Sequence, residues 1–187
     1  MPAAISADEA QRRLRALHAE VDARAGELAR RHAGRLRCGR GCSACCQDGL
    51  SVFEVEAERI RRAHPELLSG GVPHAPGACA FLDAEGACRI YADRPYVCRT
   101  QGLPLRWIEE DAAGRVAERR DICPLNEGGP PLESLPERDC WTLGEAEGKL
   151  AALQSARDGG ARRRVALRSL FRATAGPASG ARRDTRS

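Results

Sequence analysis

The stretch RLRCGRGCSACCQDG, residues 35–49, places four of the chain's nine cysteines within nine positions, and the last two are adjacent. Thiols this close together serve as disulfides, metal ligands, a redox pair or a reactive nucleophile. Their use constrains the fold, because the chain has few other means of holding itself together. Its 187 residues suffice for one domain with a modest core. Yet it has only three Phe, two Trp and two Tyr. Cysteine cross-links, through metal or disulfide, supplement a core of that kind. The apolar content is mainly Ala, Leu and Val, which suits helices better than sheets.

The N-terminus bears on how the thiols are used. A secretory signal needs an apolar stretch of about 7–15 residues. Residues 1–34 instead carry Asp8, Glu9, Arg12, Arg13 and Arg15 in a charged helical pattern. No run of about 18 apolar residues occurs, so no membrane span is expected. The expected localisation is cytoplasmic. Thiols stay reduced there, and clustered cysteines bind metal more often than they pair. An odd cysteine count also fits a closed disulfide framework poorly.

The pattern along the chain is mostly helical. Ser6 followed by Glu9 has the form of a capping box. Ala10, Leu14, Leu17, Val21, Ala25 and Leu28 then recur at helical spacing, which predicts an amphipathic helix over about 6–31. Phe53 to Ala63 reads as a second helix stopped by Pro65, and residues 69–77 as a loop. Cys79 to Tyr91, with its Asp-Ala-Glu-Gly centre, reads as a short hairpin. Leu103 to Ile108 and Arg115 to Arg119 suggest another. Leu143 to Ala156 and Ala161 to Thr174 read as helices, and residues 175–187 as disordered. The fold class expected is α+β, mostly helical with small β-hairpins, a compact metal-stabilised cysteine-cluster domain. Its expected extent is 1–156, with an Arg-rich helix and tail over 157–187.

Spacing favours metal. A tetrahedral thiolate site needs four sulfurs about 2.3 Å from one ion, and short gaps let a turn aim two at one point. Cys42 and Cys45 have two residues between them, and Cys38 and Cys42 have three. Adjacent Cys45 and Cys46 should point in different directions, which two ions or a bridging sulfur would accommodate. Cys79 and Cys88 bracket the expected hairpin, Cys98 follows Arg94-Pro95, and Cys123 precedes Pro124. With Cys140 set aside, eight thiols remain, enough for two four-cysteine sites or for an arrangement with an iron–sulfur cluster. Nearby arginines, Arg94 and Arg99 foremost, could donate hydrogen bonds to thiolates and offset their charge.

These residues carry a family resemblance. GCSACC (41–46), CAFLDAEGACRIYADRPYVCR (79–99) and Cys123-Pro124 resemble the YkgJ-type cysteine-cluster family, also called CxxCxxCC, over roughly residues 35–125. The resemblance implies chelation of zinc or iron by Cys38, Cys42, Cys45, Cys46, Cys79, Cys88, Cys98 and Cys123. It implies no defined reaction. Cys140 lies outside the pattern, and the first gap is three residues where the family's shorthand has two.

Other readings remain. Cys38-x3-Cys42-x2-Cys45 is also the spacing of a radical-SAM cluster loop, which would make the chain an iron–sulfur redox or modifying enzyme. The strands needed for the usual barrel are missing from the pattern. A zinc-dependent nucleic-acid-binding or interaction module is the next reading. Residues 157–187 hold nine Arg and two Asp, a net of +7 against +4 for the whole chain, and such a tail suits phosphates. Metal-free Cys45-Cys46 could sense oxidants. His74, in a Pro-rich loop, reads as solvent-exposed. Zinc is the first metal expected and iron the second, with the metal acting as a folding ligand for residues 35–125.

Overall fold

The computed structural model describes residues 4–171. In chain order the elements are α1 (Ala7–Arg31), β1 (Ser51–Phe53), α2 (Glu54–Ala63), α3 (Pro65–Gly70) and α4 (Tyr96–Arg99). After them come β2 (Leu105–Glu110), β3 (Val116–Asp121), β4 (Trp141–Thr142), α5 (Glu145–Asp158) and β5 (Arg164–Ala166). The architecture is α+β, with helices dominant and two small sheets. No described helix is long and apolar enough to cross a membrane.

Helix α1 begins where its sequence says it should. The Ser6 hydroxyl accepts the Glu9 N–H at 3.2 Å, satisfying one of the free donors of the first turn. Asp8 and Glu9 at this end and Arg30 and Arg31 at the other complement the helix dipole. Its apolar stripe packs on α5 in a core containing Leu14, Val21, Leu28, Leu150 and Leu153. Trp141 and Tyr96 close this core. The Trp141 indole N–H donates to the Tyr96 hydroxyl at 2.9 Å, and that hydroxyl donates to Glu147 Oε1 at 2.8 Å. Both polar tips are thereby satisfied inside apolar surroundings.

A second core lies around Phe81, with Val52, Ile60, Ile90, Leu170 and Phe171. The Phe81 and Phe171 rings stand 5.0 Å apart between centroids, tilted by 43°. Helix α2 joins the two cores, since Val55 belongs to the first and Ala57 and Ile60 to the second. Its start is also held by side chains. Gln11 donates to the Val55 carbonyl at 2.9 Å, and the Val55 N–H donates to Gln154 Oε1 at 2.8 Å.

The sheets differ in how well the pattern foretold them. β2 and β3 form the expected hairpin, antiparallel from Leu105↔Asp121 to Glu110↔Val116, and β4 adds in parallel to β2. The hairpin expected over 79–91 is reduced to one bridge, Leu82↔Cys88. Asp83 is the reason: its carboxylate accepts the Glu85 and Ala87 N–H groups, a side-chain turn in place of a strand ladder. Pro65 ends α2 as expected and also opens α3 from its first position, where a missing N–H costs nothing.

The C-terminal helix expected over 161–174 is a different structure. Gly159 and Gly160 take left-handed backbone (φ 67° and 97°) and end α5. Asp158 then accepts the N–H groups of Arg162 and Arg163 at 3.2 and 2.9 Å, which turns the chain. Residues 164–166 pair with β1 instead, Val165 opposite Val52, and Leu167–Leu170 form a 3₁₀ turn. Local helix propensity lost to a waiting strand edge. Residues 172–174 of that expected helix, and the tail expected to be disordered, lie outside the described residues.

One buried group makes the fold acid-sensitive. His18, 3% exposed, has no hydrogen-bond partner for either ring nitrogen among the described residues, and its Nε2 lies 3.5 Å from Glu56 Oε1. Burial holds its pKa below the usual 6.5, against a partial pull upward from Glu56. The unfolded chain therefore takes up a proton near pH 6.5 that the folded chain refuses. The stability linked to His18 is complete above that pH and is lost as the pH falls below it. His18→Leu is expected to flatten the decline in melting temperature between about pH 6.5 and pH 5. An unchanged slope in the variant would remove His18 from the account.

Candidate metal centre

The cysteine-bearing loop, residues 38–46, is shaped by short backbone bonds. The Cys42 N–H donates to the Gly39 carbonyl at 3.1 Å, the Cys46 N–H to Ser43 at 2.8 Å, and the Gln47 N–H to Cys45 at 3.1 Å. The last is a three-residue turn centred on Cys46. It bends the backbone between the two neighbouring thiols.

The middle segment docks directly on this loop. The Cys79 N–H donates to the Cys46 carbonyl at 2.9 Å. Gly86, at φ 76°, lets the Asp83 turn lie against the loop: a Cβ there would stand 3.3 Å from the Gly41 carbonyl oxygen. Cys79 and Cys88 pack against the Phe81 core. Cys98 sits on α4, whose first N–H, that of Tyr96, donates to the buried Glu56 carboxylate at 2.7 Å.

The electrostatics show which thiols share a neighbourhood. The hydrogen bond from Cys46 lowers the Cys45 pKa to about 6, and the same bond, with burial and the charges of Cys45, Cys79 and Cys98, pushes Cys46 up. Burial raises Cys79, Cys88 and Cys98, the last to about 12. Cys79 adds to the shift of Cys88, and Cys79, Cys88 and Cys45 add to that of Cys98. Five thiols from three stretches of chain therefore feel one another's charge. Of the five only Cys45 is favoured to ionise unaided, and a bound cation would favour the thiolate form of the other four. Among the described residues, no three His, Cys, Asp or Glu side chains are already grouped as ligands of a single ion.

The other three thiols lie around a different residue or apart. Cys38 is exposed, and its Sγ accepts from Asn126 Nδ2 at 3.3 Å. Asn126 is fully buried and also bonds the Arg37 N–H at 2.7 Å and the Gly102 carbonyl at 2.8 Å. Cys123 starts the 3₁₀ turn that carries Asn126, its carbonyl accepting the Asn126 N–H at 2.7 Å. Cys38 and Cys123 are in this way tied to one residue, the first through the Asn126 side chain and the second through its backbone N–H. Gly102 (φ 89°) leaves room here, since a Cβ would collide with Cys38 Sγ. Cys42 is half-buried in the loop between the two groups. Cys140 lies elsewhere, 3.9 Å from Arg120 Nη1 and on the wall of a cavity of about 610 Å³ that none of the other cysteines lines.

The arginines expected beside the thiols are present but bonded otherwise. Arg94 stacks on Tyr91, 4.0 Å from the ring centroid, and its charge favours the Cys88 thiolate. Arg99 donates to Asp22 on α1 at 2.5 Å and to the Ala92 carbonyl at 3.2 Å, so it ties α4 to α1. Neither donates to a thiol among the described residues. Arg89, one of the arginines beside the cysteines in the sequence, and Arg168, which the sequence did not connect with them, have charges that favour the Cys79 thiolate. Asn126 and Glu56 were missed too. Each is a single polar residue whose role exists only once distant segments meet.

Residues 37–124 match the CxxCxxCC family, whose description reads "Putative zinc- or iron-chelating domain". All eight cysteines noted in the sequence lie inside that span. The match supports metal binding in general. Neither a curated protein nor a solved structure matches the chain.

Proposed function

We propose that this chain, with its CxxCxxCC domain at residues 37–124, binds zinc or iron through its clustered cysteines. Cys45, Cys46, Cys79, Cys88 and Cys98 form the inner group, and Cys38, Cys42 and Cys123 complete the ligand set. The observation that carries the reading is the docking of the Cys79 segment on the Cys45-Cys46 loop, through the Cys79 N–H to Cys46 carbonyl bond at 2.9 Å, with Cys79 and Cys88 both against the Phe81 core. Soft sulfur donors of this kind suit zinc and iron–sulfur clusters, as they do Cu(I), above hard ions such as magnesium. Closing on an ion asks the thiols to turn inward and give up their protons, so uptake is expected to release acid. A zinc ion so held cross-links the loop, the middle segment and α4, while an iron–sulfur cluster would add electron transfer.

Zinc is the first choice, as the usual ion of closed thiolate sites. The test is elemental analysis with a visible spectrum on full-length protein purified without oxygen. A colourless protein with about two zinc ions per eight thiols supports the zinc form. A brown protein containing iron and acid-labile sulfide supports the cluster form. Metal below one ion per ten chains, with all thiols reduced, would overturn the proposal.

A further inference from the structure

The C-terminal segment was expected to be a basic helix and tail, and it lies beyond the matched residues. Three of its described arginines bond to the body of the molecule although Arg162–Arg164 stay exposed. Arg164 donates to the Ser51 carbonyl at 2.5 Å and stacks over Phe53, and Arg162 bonds Ser155 at 3.0 Å. Arg168 makes the most bonds of the segment. Its Nε donates to both Asp48 oxygens at 2.8 and 3.0 Å. Its Nη1 donates to the His74 carbonyl at 2.7 Å, and its Nη2 to those of Ala75 and Ala78 at 3.3 and 2.8 Å.

The placement of those partners is informative. Asp48 stands two residues after Cys46, and Ala78 immediately precedes Cys79. One guanidinium therefore spans the two chain segments whose thiols must meet. Asp48 reinforces the clasp by accepting the Gly77 N–H at 3.2 Å. The segment is anchored on both sides of Arg168, by the Leu167 N–H donating to Leu50 at 2.9 Å and by Phe171 on Phe81. A planar fork with five donors can hold a carboxylate and several carbonyls at once, which an ammonium cannot.

We infer that Arg168 is a positioning residue for the metal site, strapping the loop after Cys45-Cys46 to the loop before Cys79 so that their thiols are held ready for one centre. The inference rests on the metal-binding reading above and extends the working unit to residues outside the family match. Ligands held in place by neighbouring bonds lose less freedom on binding, and outer contacts of this kind alter metal affinity by about 10–100-fold.

The experiment uses the full chain loaded with cobalt(II) or zinc, with Arg168→Ala, Arg168→Lys and Leu150→Ala compared. Leu150→Ala lowers stability in the α1–α5 core, away from the thiols. Arg168→Ala is expected to speed zinc loss to a chelator by at least about tenfold and to shift the cobalt–thiolate absorption. Arg168→Lys, able to keep only part of the clasp, is expected to fall between. Leu150→Ala should leave the cobalt spectrum unaltered despite its lower melting temperature. Should Arg168→Ala fail to fold, Arg168→Lys carries the comparison against Leu150→Ala alone. Wild-type zinc release and spectrum in a folded Arg168 variant would overturn the inference while the metal site stood. A wild-type chain that binds neither ion would instead overturn the reading beneath it.

Discussion

Stripping the metal from the loaded protein is expected to open residues 38–50 and 76–101 to rapid amide exchange while α1, α2 and α5 stay protected. The reason is the division of the interior. The α1–α5 core contains no ligand cysteine, and Tyr96 is its only residue from the stretches expected to open, so α1 and α5 are expected to hold without an ion. Helix α2 is anchored in both cores and by Gln11 and Gln154. The loop over 38–46 has only short turns of its own and is linked to the middle segment by the bond from Cys79 to Cys46. Free metal at a thousand times its Kd would stabilise the folded state by about 4 kcal/mol. For a chain of this size that is roughly 8–16 °C in melting temperature. The loss should be reversed by zinc and not by magnesium, which thiolates bind poorly. Exchange that rose equally in α2 and in the β2–β3 hairpin would return to the broader expectation drawn from the sequence, that losing the metal unfolds much of residues 35–125. Unchanged exchange in the loops would exclude a folding role for the ion.

Which features could be read from the sequence depends on how local their causes are. Helix α1 was legible because its cap, its stripe and its end charges all lie within the helix. The β2–β3 hairpin was legible for a similar reason, its two strands meeting across one turn. The segment after Gly160 was misread because its local pattern of Arg, Ala and Leu permits a helix, and the deciding factor is β1, more than a hundred residues earlier. The candidate ligands stood out as residue types at telling intervals, and the family match covers them all. Their grouping did not stand out. That the Cys79 loop should dock on the Cys45-Cys46 loop while Cys38 and Cys123 are both bonded to Asn126 follows from how the two cores bring the segments together. A lone Asn or Arg carries no such signal until its partners are in place.

Cys45 and Cys46 are the sharpest case, and each replaced singly by serine is expected to lose metal. Neighbouring residues seldom serve one centre, because extended backbone sends their side chains apart. Here the backbone is not extended: the Gln47 N–H closes a turn on the Cys45 carbonyl with Cys46 at its centre. The pair can then bind one ion jointly, bridge two ions or cap adjacent irons of a cluster, and in each arrangement both sulfurs are ligands. A hydroxyl cannot replace either, being a hard and weakly acidic donor where a soft thiolate is required. The expected loss in affinity for each variant exceeds the roughly 10–100-fold typical of removing an outer contact. Cys140→Ser should retain wild-type metal content, since that thiol sits beside Arg120 and apart from the group. Metal content measured on the three variants after equal dialysis gives the answer. If Cys45→Ser loses metal and Cys46→Ser does not, Cys46 serves only as the hydrogen-bond donor that lowers the Cys45 pKa, and the centre is built on one thiol of the pair.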